Sequence, residues 1–297
     1  MRIDQILSER GNRQLGKAKV DFAQTGKIRS TTCGVEVAYN LPVTRLLAFA
    51  MLATLVAAPA ASQTNATLTL RGKPQVLRLW GSRGAEPIVV STGDGGWIHL
   101  GPHVAEFLAS KGYFVVGFDV KAYLESFTSS KTTLRPEDEP GDYRVIAEFA
   151  AQGGKAKPIL VGVSEGAGLS VLAATDPATK AIIGGVIGLG LPDLTELGWR
   201  WRDAIIWITK GVPREPTFST AAVVEKVAPL PLAAIHSTND EYVPLSEIQA
   251  VMGRAKEPRK LWIVKASDHR FSDNLAEFDQ RLIEAIQWVK SQGAEPR

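Results

Sequence analysis

The 297-residue sequence is almost free of cysteine, because Cys33 is the only one. A single thiol excludes an intramolecular disulfide framework and any zinc site built from paired cysteines. The sequence also lacks a large excess of either charge, with 34 Lys and Arg against 31 Asp and Glu. Binding to nucleic acid needs a clustered basic surface, so this balance argues against a nucleic-acid partner.

The N-terminal part lacks an apolar run of the ~20 residues that a membrane-spanning helix needs. Its apolar run, residues 46–58, is shorter, follows Arg45 and ends in small residues. This layout is typical of a cleavable secretory signal, whereas a retained membrane anchor is the alternative. We therefore expect residues 1–62 to be a leader, residues 63–297 to be the folded domain, and the protein to be periplasmic.

From residue 66 onward, apolar strand-like segments alternate with segments of helical periodicity. This alternation is typical of βαβ units on a mostly parallel sheet, and no internal repeat divides it. Apolar residues at helical spacing predict helices at 102–111, 142–152 and 275–289. The predicted strands are residues 66–70, 76–80, 87–91, 113–120, 158–163, 181–189, 231–235 and 261–265.

The strand at 158–163 runs into Gly162-Val163-Ser164-Glu165-Gly166, and a small-residue helix follows. Gly-x-Ser-x-Gly between a strand and a helix is the nucleophile elbow of α/β hydrolases. The glycines are needed because a Cβ at either position would collide with the adjoining strand or helix. We predict an α/β-hydrolase fold with Ser164 as nucleophile. The alternative is an ordinary glycine-rich turn of a doubly wound sheet.

A serine nucleophile needs a base, and the base needs an acid that orients it. In this fold the chain order is serine, acid, histidine. His269 follows the last predicted strand by a short loop, so we predict that it is the base. Asp240 lies just past the preceding strand and is the predicted acid, with Glu241 and Asp193 as rivals.

The glycine-rich segment 91–97 follows the third predicted strand, where this fold places part of its oxyanion hole. A plain tight turn and a phosphate-binding loop are the alternatives, although no Gly-Lys-Ser/Thr follows. For the oxyanion we predict backbone N–H donors at Glu165, Thr92 and Asp94. Residues predicted to contact substrate are Gly93, Gly95, Gly96 and Trp97, although Trp97 suits core packing equally well.

Two further histidines, His99 and His103, have the i, i+4 spacing of zinc ligands on a helix. The intervening Leu-Gly-Pro carries no Glu and disfavours a continuous helix, so we expect no metal site. His236 follows an apolar strand and is predicted to be structural. The proposed chemistry needs no cofactor.

Residues 191–228 separate the sixth and seventh predicted strands and are expected to form a small cap. Packing of this cap on the core is the favoured interpretation, and contact with a membrane surface is the alternative. The aromatic and basic residues that raise the question are Trp199, Trp201, Trp207, Arg200, Arg202 and Lys210.

With these motifs placed, residues 85–290 resemble the bacterial virulence protein family VirJ and its relative AcvB. The resemblance rests on GDGGW at 93–97, VGFD at 116–119, the Ser164 elbow and SDHRF at 267–271. It implies a periplasmic α/β hydrolase. AcvB-like members resemble esterases that remove lysine from lysyl-phosphatidylglycerol, and VirJ is associated with type IV secretion.

The chain departs from that family pattern at the elbow, which reads Gly-Val-Ser-Glu-Gly-Ala-Gly rather than Gly-Tyr-Ser-Phe-Gly-Ala-Asp. The residues after Asp119 also differ from the family's Ser-Leu-Arg-Tyr. The first change puts an acid, Glu165, beside the nucleophile.

We therefore predict a periplasmic serine hydrolase that cleaves a small-molecule or lipid ester, with lysyl-phosphatidylglycerol as the candidate substrate. One alternative is a non-catalytic partner of a secretion or envelope machine. Another is a soluble-substrate carboxylesterase resembling dienelactone hydrolases.

Overall fold

The computed structural model describes residues 28–32, 35–39, 63–152, 154–201 and 215–293. The chain divides into two units, Met1–Ala58 and Pro59–Arg297. In the first unit, strands β1 (Ile28–Thr32) and β2 (Val35–Tyr39) pair antiparallel. The predicted signal at 46–58, its cleavage positions and Cys33 lie outside the described residues. No helix among the described residues is both long and apolar enough to cross a membrane.

An eight-stranded sheet forms the centre of the second unit. Its spatial order is β12-β11-β8-β7-β5-β6-β4-β3, in which only β4 runs antiparallel to its neighbours. The sheet is thus mostly parallel, as predicted. Its strands are β3 (Thr64–Leu70), β4 (Lys73–Trp80), β5 (Pro87–Ser91), β6 (Phe114–Phe118), β7 (Ile159–Val163), β8 (Gly185–Leu189), β11 (Leu232–Ser237) and β12 (Arg259–Val264).

Helices cover both faces of this sheet. Alternate side chains of each strand point to opposite faces, so Val89 of β5 joins one core while Ile88 and Val90 join the other. Strands covered on both faces read as continuous apolar runs, which is why β5 to β8 are fully buried. The helices are α1 (Leu100–Ser110), α2 (Val120–Phe127), α3 (Glu139–Ala151), α4 (Glu165–Ala173), α5 (Pro177–Ile182), α6 (Thr220–Val223), α7 (Leu245–Arg254) and α8 (Leu275–Gly293).

Two predicted strands are too long because helices begin or end inside them. β6 stops at Phe118, since the Asp119 carboxylate accepts the N–H of Ala122 and starts α2. The run predicted at 181–189 begins in α5, whose N-cap Asp176 accepts the N–H of Thr179. Apolar β-branched residues do not show where a buried strand gives way to a buried helix.

The cap lies between β8 and β11, the sixth and seventh strands of the main sheet. Its described part contains the antiparallel pair β9 (Leu194–Glu196) and β10 (Thr217–Ser219), helix α6 and a 3₁₀ turn, Val224–Val227. Apolar residues of the cap, including Leu197 and Val224, join the core. The described cap thus packs on the domain, while Arg202, Trp207 and Lys210 lie outside the described residues.

One acidic side chain, Glu139 at the start of α3, is fully buried. Neither of its carboxyl oxygens has a hydrogen-bond partner among the described residues. Nearby, Asp142 is held by Arg71 at 2.7 Å and by the Tyr123 hydroxyl at 2.6 Å. Burial, followed by the negative charge of Asp142, raises the pKa of Glu139 well above 4.5. Folding therefore favours the protonated form of Glu139.

This buried acid predicts a pH-dependent loss of stability. The unfolded chain releases the Glu139 proton near pH 4.5, whereas the folded chain retains it, so stability falls as pH rises above that value. Glu139→Gln should remove this contribution, so the free energy of unfolding should depend less on pH between pH 5 and pH 8 than it does in wild type. Urea denaturation between pH 5 and pH 8 measures the difference.

The matched control is Glu137→Gln, because Glu137 lies two residues away and is exposed. It should leave the pH dependence of stability unchanged. An identical pH dependence in wild type and Glu139→Gln would show that Glu139 is ionised in the folded protein.

Candidate active site

Ser164 lies at the turn between β7 and α4 in a strained backbone conformation, with φ 52° and ψ −119°. A Cβ at Gly162 would lie 2.2 Å from the Gly166 carbonyl oxygen. A Cβ at Gly166 would lie 2.4 Å from the carbonyl oxygen of Thr92. Only glycine fits on either side, so the local sequence is the one that this turn requires.

Backbone hydrogen bonds hold the strained turn in place. The Ser164 N–H donates to the carbonyl of Leu189 at 2.9 Å, and the Ser164 carbonyl accepts the N–H of Ala167 at 2.8 Å. Glu165, the first residue of α4, has a backbone N–H without an acceptor inside its own helix. The Ser164 side chain is partly exposed and lines a cavity of about 470 Å³.

His269 follows β12 in a short loop, and its imidazole is 9% exposed. Its backbone N–H donates to the Glu241 carboxylate at 2.7 Å. The ring packs against Gly190, where a Cβ would come within 2.4 Å of His269 Cε1, and meets Tyr242 edge-on. Gly190 has φ 59°, so both its conformation and the ring above it favour glycine.

The Asp240 carboxylate contacts the imidazole directly. Its Oδ2 lies 2.6 Å from His269 Nδ1, and its Oδ1 accepts the N–H groups of Tyr242 and Val243 at 2.9 and 2.8 Å. The side chain is fully buried, so the contact is shielded from solvent. This arrangement leaves His269 Nε2 as the nitrogen available to another group.

The two rival acids, Glu241 and Asp193, make hydrogen bonds to groups other than the His269 ring. Glu241 accepts the backbone N–H of His269 rather than a ring nitrogen. Asp193 accepts from the Ser219 hydroxyl at 2.7 Å and the Ala221 N–H at 2.8 Å, so it caps the start of the cap helix. Of the three candidate acids, only Asp240 bonds to the imidazole.

The pairing changes the proton affinity of both groups. Burial alone would lower the pKa of His269, but the hydrogen bond and charge of Asp240, with the charges of Glu165 and Glu241, raise the pKa overall. Burial alone would raise the pKa of Asp240, but the hydrogen bond and charge of His269 lower it. Each group therefore stabilises the charged form of the other, so a proton taken up by the imidazole is held more tightly.

Ser164 and His269 line the same cavity. They are linked through consecutive residues at the end of β8, since Leu189 binds the Ser164 N–H and Gly190 supports the imidazole. Among the described residues, the Ser164 hydroxyl makes no hydrogen bond to His269 in this structure. Such contacts often form only when substrate is bound.

The oxyanion prediction needs one correction. The Thr92 N–H donates to the Phe118 carbonyl at 3.0 Å, and its hydroxyl accepts the Val120 N–H, so Thr92 binds the end of β6 and the start of α2 and is not an oxyanion donor. The Asp94 N–H instead points to the Glu165 carboxylate, 3.3 Å from Oε2. Lining residues of the cavity from this loop are Gly93, Asp94, Gly95 and Gly96.

Trp97 is also corrected, because it does not line this cavity. Its ring stacks on Trp80 at 5.5 Å and lies beneath the Arg78 guanidinium. Gly117 makes room for it, since a Cβ there would lie 2.2 Å from the indole. Trp97 therefore packs in the core, which was the alternative to substrate contact.

The remaining histidines have neighbours of their own. His103 Nε2 lies 2.7 Å from Asp279, and burial, followed by the charge of Arg270, lowers the pKa of His99. His236 is buried and its Nε2 binds the Val243 carbonyl, whereas Nδ1 has no partner among the described residues. The described residues contain no cluster of three or more potential metal ligands.

The cavity is strongly acidic. Its carboxylate-bearing lining residues are Asp94, Glu165, Asp193, Glu196, Glu241 and Glu247. Arg270 is the only Lys or Arg among the described residues that line it. Sequence reasoning missed Glu196 and Glu247 because neither lies in a catalytic motif. The only sequence feature that could have pointed to them is their position, because Glu196 lies shortly after β8 and Glu247 at the start of α7.

The mouth of the cavity, by contrast, carries exposed apolar side chains. Ile98, Leu194 and Tyr242 line the cavity and are 46%, 47% and 43% exposed. They come from two loops and the start of β9, far apart in the chain, so no local pattern predicts the group. An acidic interior with an apolar mouth suits a ligand that has both a charged and an apolar part.

Comparisons with solved structures place the domain among the α/β hydrolases. The α/β hydrolase GrgF from Penicillium sp. sh18 matches with a TM-score of 0.57 and 13% identity, covering 79% of this chain and all of that one. The dienelactone hydrolase from Anabaena variabilis matches with a TM-score of 0.55 and 15% identity, covering 77% and 98%. At these identities the likeness establishes the fold, and the α/β-hydrolase prediction is confirmed.

A membrane phospholipase A, described as a novel bacterial virulence factor, matches with a TM-score of 0.55 and 14% identity, covering 83% of this chain and 92% of that one. A family model described as bacterial virulence protein (VirJ) matches residues 86–289. No curated protein sequence matches the chain significantly.

The contact between Asp240 and His269 predicts that the pKa of His269 depends on the Asp240 carboxylate. Asp240→Asn should lower the pKa of His269, because the substitution removes the negative charge and the charged hydrogen-bond acceptor that raise it. The chain has four histidines, so proton NMR can follow each imidazole through a pH titration.

Asp193→Asn is the matched control, because Asp193 lines the same cavity but binds the cap helix. It should leave the His269 titration close to that of wild type. Equal effects of the two substitutions would mean that general charge, and not the direct contact, sets the pKa.

Proposed function

The chain belongs to the bacterial virulence protein (VirJ) family, and we propose that it is a serine hydrolase that cleaves an ester bond. The observation that carries this proposal is the strained Ser164 in one cavity with the His269–Asp240 pair. A serine, a histidine and a buried carboxylate in these roles form the triad of acyl-transfer enzymes.

In the proposed mechanism, Ser164 Oγ attacks the ester carbonyl carbon while His269 Nε2 takes the hydroxyl proton. Asp240 holds the Nδ1–H and stabilises the imidazolium that forms. The backbone N–H groups of Glu165 and Asp94 bind the negative oxygen of the tetrahedral intermediate. His269 returns the proton to the leaving alcohol, and water then releases the acyl group from Ser164 by the same steps.

A fluorophosphonate probe tests the nucleophile. The wild-type protein should be labelled at one serine, and Ser164→Ala should abolish the labelling, because the probe reacts with an activated hydroxyl. Mass spectrometry of the labelled peptide identifies the residue.

Ser267→Ala is the control, since Ser267 is exposed and lies two residues from His269. It should be labelled like wild type. Absence of labelling in the wild-type protein would favour the non-catalytic partner of a secretion or envelope machine.

Within this proposal the substrate is an aminoacyl phospholipid such as lysyl-phosphatidylglycerol. The acidic interior supports a cationic acyl group, and the apolar mouth formed by Ile98, Leu194 and Tyr242 supports an amphiphilic molecule. A soluble ester would leave the apolar mouth unexplained. Contact of the cap with a membrane surface stays a prediction, carried among the described residues by the 70% exposed Trp201.

We also propose that the protein acts in the periplasm after removal of the leader, because the lipid is a membrane component and residues 46–58 have the layout of an export signal. N-terminal sequencing of the exported protein tests the removal, since an intact Met1 would contradict it.

Lipid extracts of a deletion strain and its parent test the substrate. The deletion strain should accumulate an aminoacyl phospholipid, and a plasmid copy of the wild-type gene, but not of Ser164→Ala, should restore the parental lipid profile. If the lipids stay unchanged while purified protein hydrolyses p-nitrophenyl esters, the soluble-substrate esterase is favoured instead.

A further inference from the structure

The Glu165 side chain turns back into the active site. Its Oε2 lies 3.3 Å from the Asp94 nitrogen and accepts that N–H. A Cβ built on Gly93 would lie 3.2 Å from Ser164 Cβ and 3.5 Å from Glu165 Oε2, so Gly93 lies next to both side chains. The contact joins residues 71 positions apart.

This contact places a carboxylate oxygen on one of the two N–H groups proposed to bind the oxyanion. A negative oxygen held by a backbone N–H resembles the oxyanion of the tetrahedral intermediate. A substrate carbonyl therefore reaches the Asp94 N–H only after the Glu165 carboxylate has left it. The group that blocks the oxyanion hole is carried by the residue that supplies the other donor.

The surroundings decide how easily the carboxylate leaves. Five other carboxylate-bearing residues line the cavity, and Arg270 is the only Lys or Arg among its described lining residues. Release from the Asp94 N–H costs the carboxylate a hydrogen bond and exposes it to like charges. A neutral ester offers nothing in return, whereas an ammonium group on the substrate forms an ion pair with the displaced carboxylate.

We propose that Glu165 is a specificity-determining residue that keeps the oxyanion hole closed until an ester with a cationic acyl group displaces its carboxylate. The proposal rests on the serine hydrolase function above and deepens it, since it assigns the discrimination between cationic and neutral acyl groups to one side chain.

Glu165→Gln is the decisive variant, because the amide keeps the length of the side chain and can accept the Asp94 N–H while carrying no charge. The substrates are the p-nitrophenyl esters of lysine and of hexanoic acid, which share a six-carbon acyl chain. Wild type should favour the lysine ester. In Glu165→Gln, kcat/KM should rise for the hexanoate ester and fall for the lysine ester, so that their ratio drops at least about tenfold.

The rate of Ser164 labelling by an uncharged fluorophosphonate gives a second readout that needs no turnover. Glu165→Gln should be labelled several times faster than wild type, because a neutral amide oxygen holds the Asp94 N–H less tightly than a carboxylate and gives way more readily to the phosphoryl oxygen. Glu247→Gln is the matched control, since it removes one charge from the cavity at a residue that binds the Asp193 N–H. It should weaken binding of the lysine ester without accelerating the hexanoate ester or the labelling.

The experiment distinguishes failure of the Glu165 proposal from failure of the hydrolase proposal. If Ser164 is labelled and both esters are hydrolysed, but Glu165→Gln leaves the ratio and the labelling rate unchanged, the role of Glu165 is overturned while the hydrolase stands. Equal effects of Glu165→Gln and Glu247→Gln also overturn it, because general charge then explains the preference. Absence of both labelling and hydrolysis in wild type overturns the hydrolase and the role of Glu165 together.

Discussion

The backbone turn at Ser164 joins the elements around the cavity, and it does so under strain. A non-glycine residue with positive φ costs on the order of 1–3 kcal/mol, so surrounding contacts must hold it in place. Its N–H is bound by the end of β8, and the neighbouring glycines let α4 approach β7 and β5 more closely than any Cβ allows. The contacts that offset this strain also hold the ends of β5, β7 and β8 close together around Ser164.

The order of the parallel strands explains the rest of the site. β5, β7, β8, β11 and β12 run in the same direction, so the loops that follow them open on one edge of the sheet. These loops supply the glycine-rich segment, the proposed nucleophile Ser164, the support for the imidazole, the proposed acid Asp240 and the proposed base His269 in turn. Residues that are far apart in the sequence therefore meet at this edge because the strands before them are neighbours in the sheet.

Charge is distributed unevenly over this frame. The acid beside His269 is buried and engaged on both oxygens, which raises the proton affinity of the imidazole. Carboxylates also line the cavity, and one of them occupies a proposed oxyanion donor. Glu139 differs from Asp240, because it is buried without a hydrogen-bond partner among the described residues and its protonated form is favoured. The site thus combines strong pairing of one acid with an excess of other acidic residues around the cavity.

The sequence by itself determined the sheet, the elbow and the positions of Ser164 and His269, because these depend on local patterns of apolar residues, glycines and chain order. It favoured Asp240 over Glu241 and Asp193 by position alone, and only the fold shows which carboxylate contacts the imidazole, because neighbouring acids look alike in sequence. Tertiary structure alone decided that the Thr92 N–H is taken by β6 and that Trp97 fills the space above Gly117. It also brought the Glu165 carboxylate to Asp94, because a hydrogen bond between residues far apart in the chain depends on how strands pack and leaves no periodic trace in sequence.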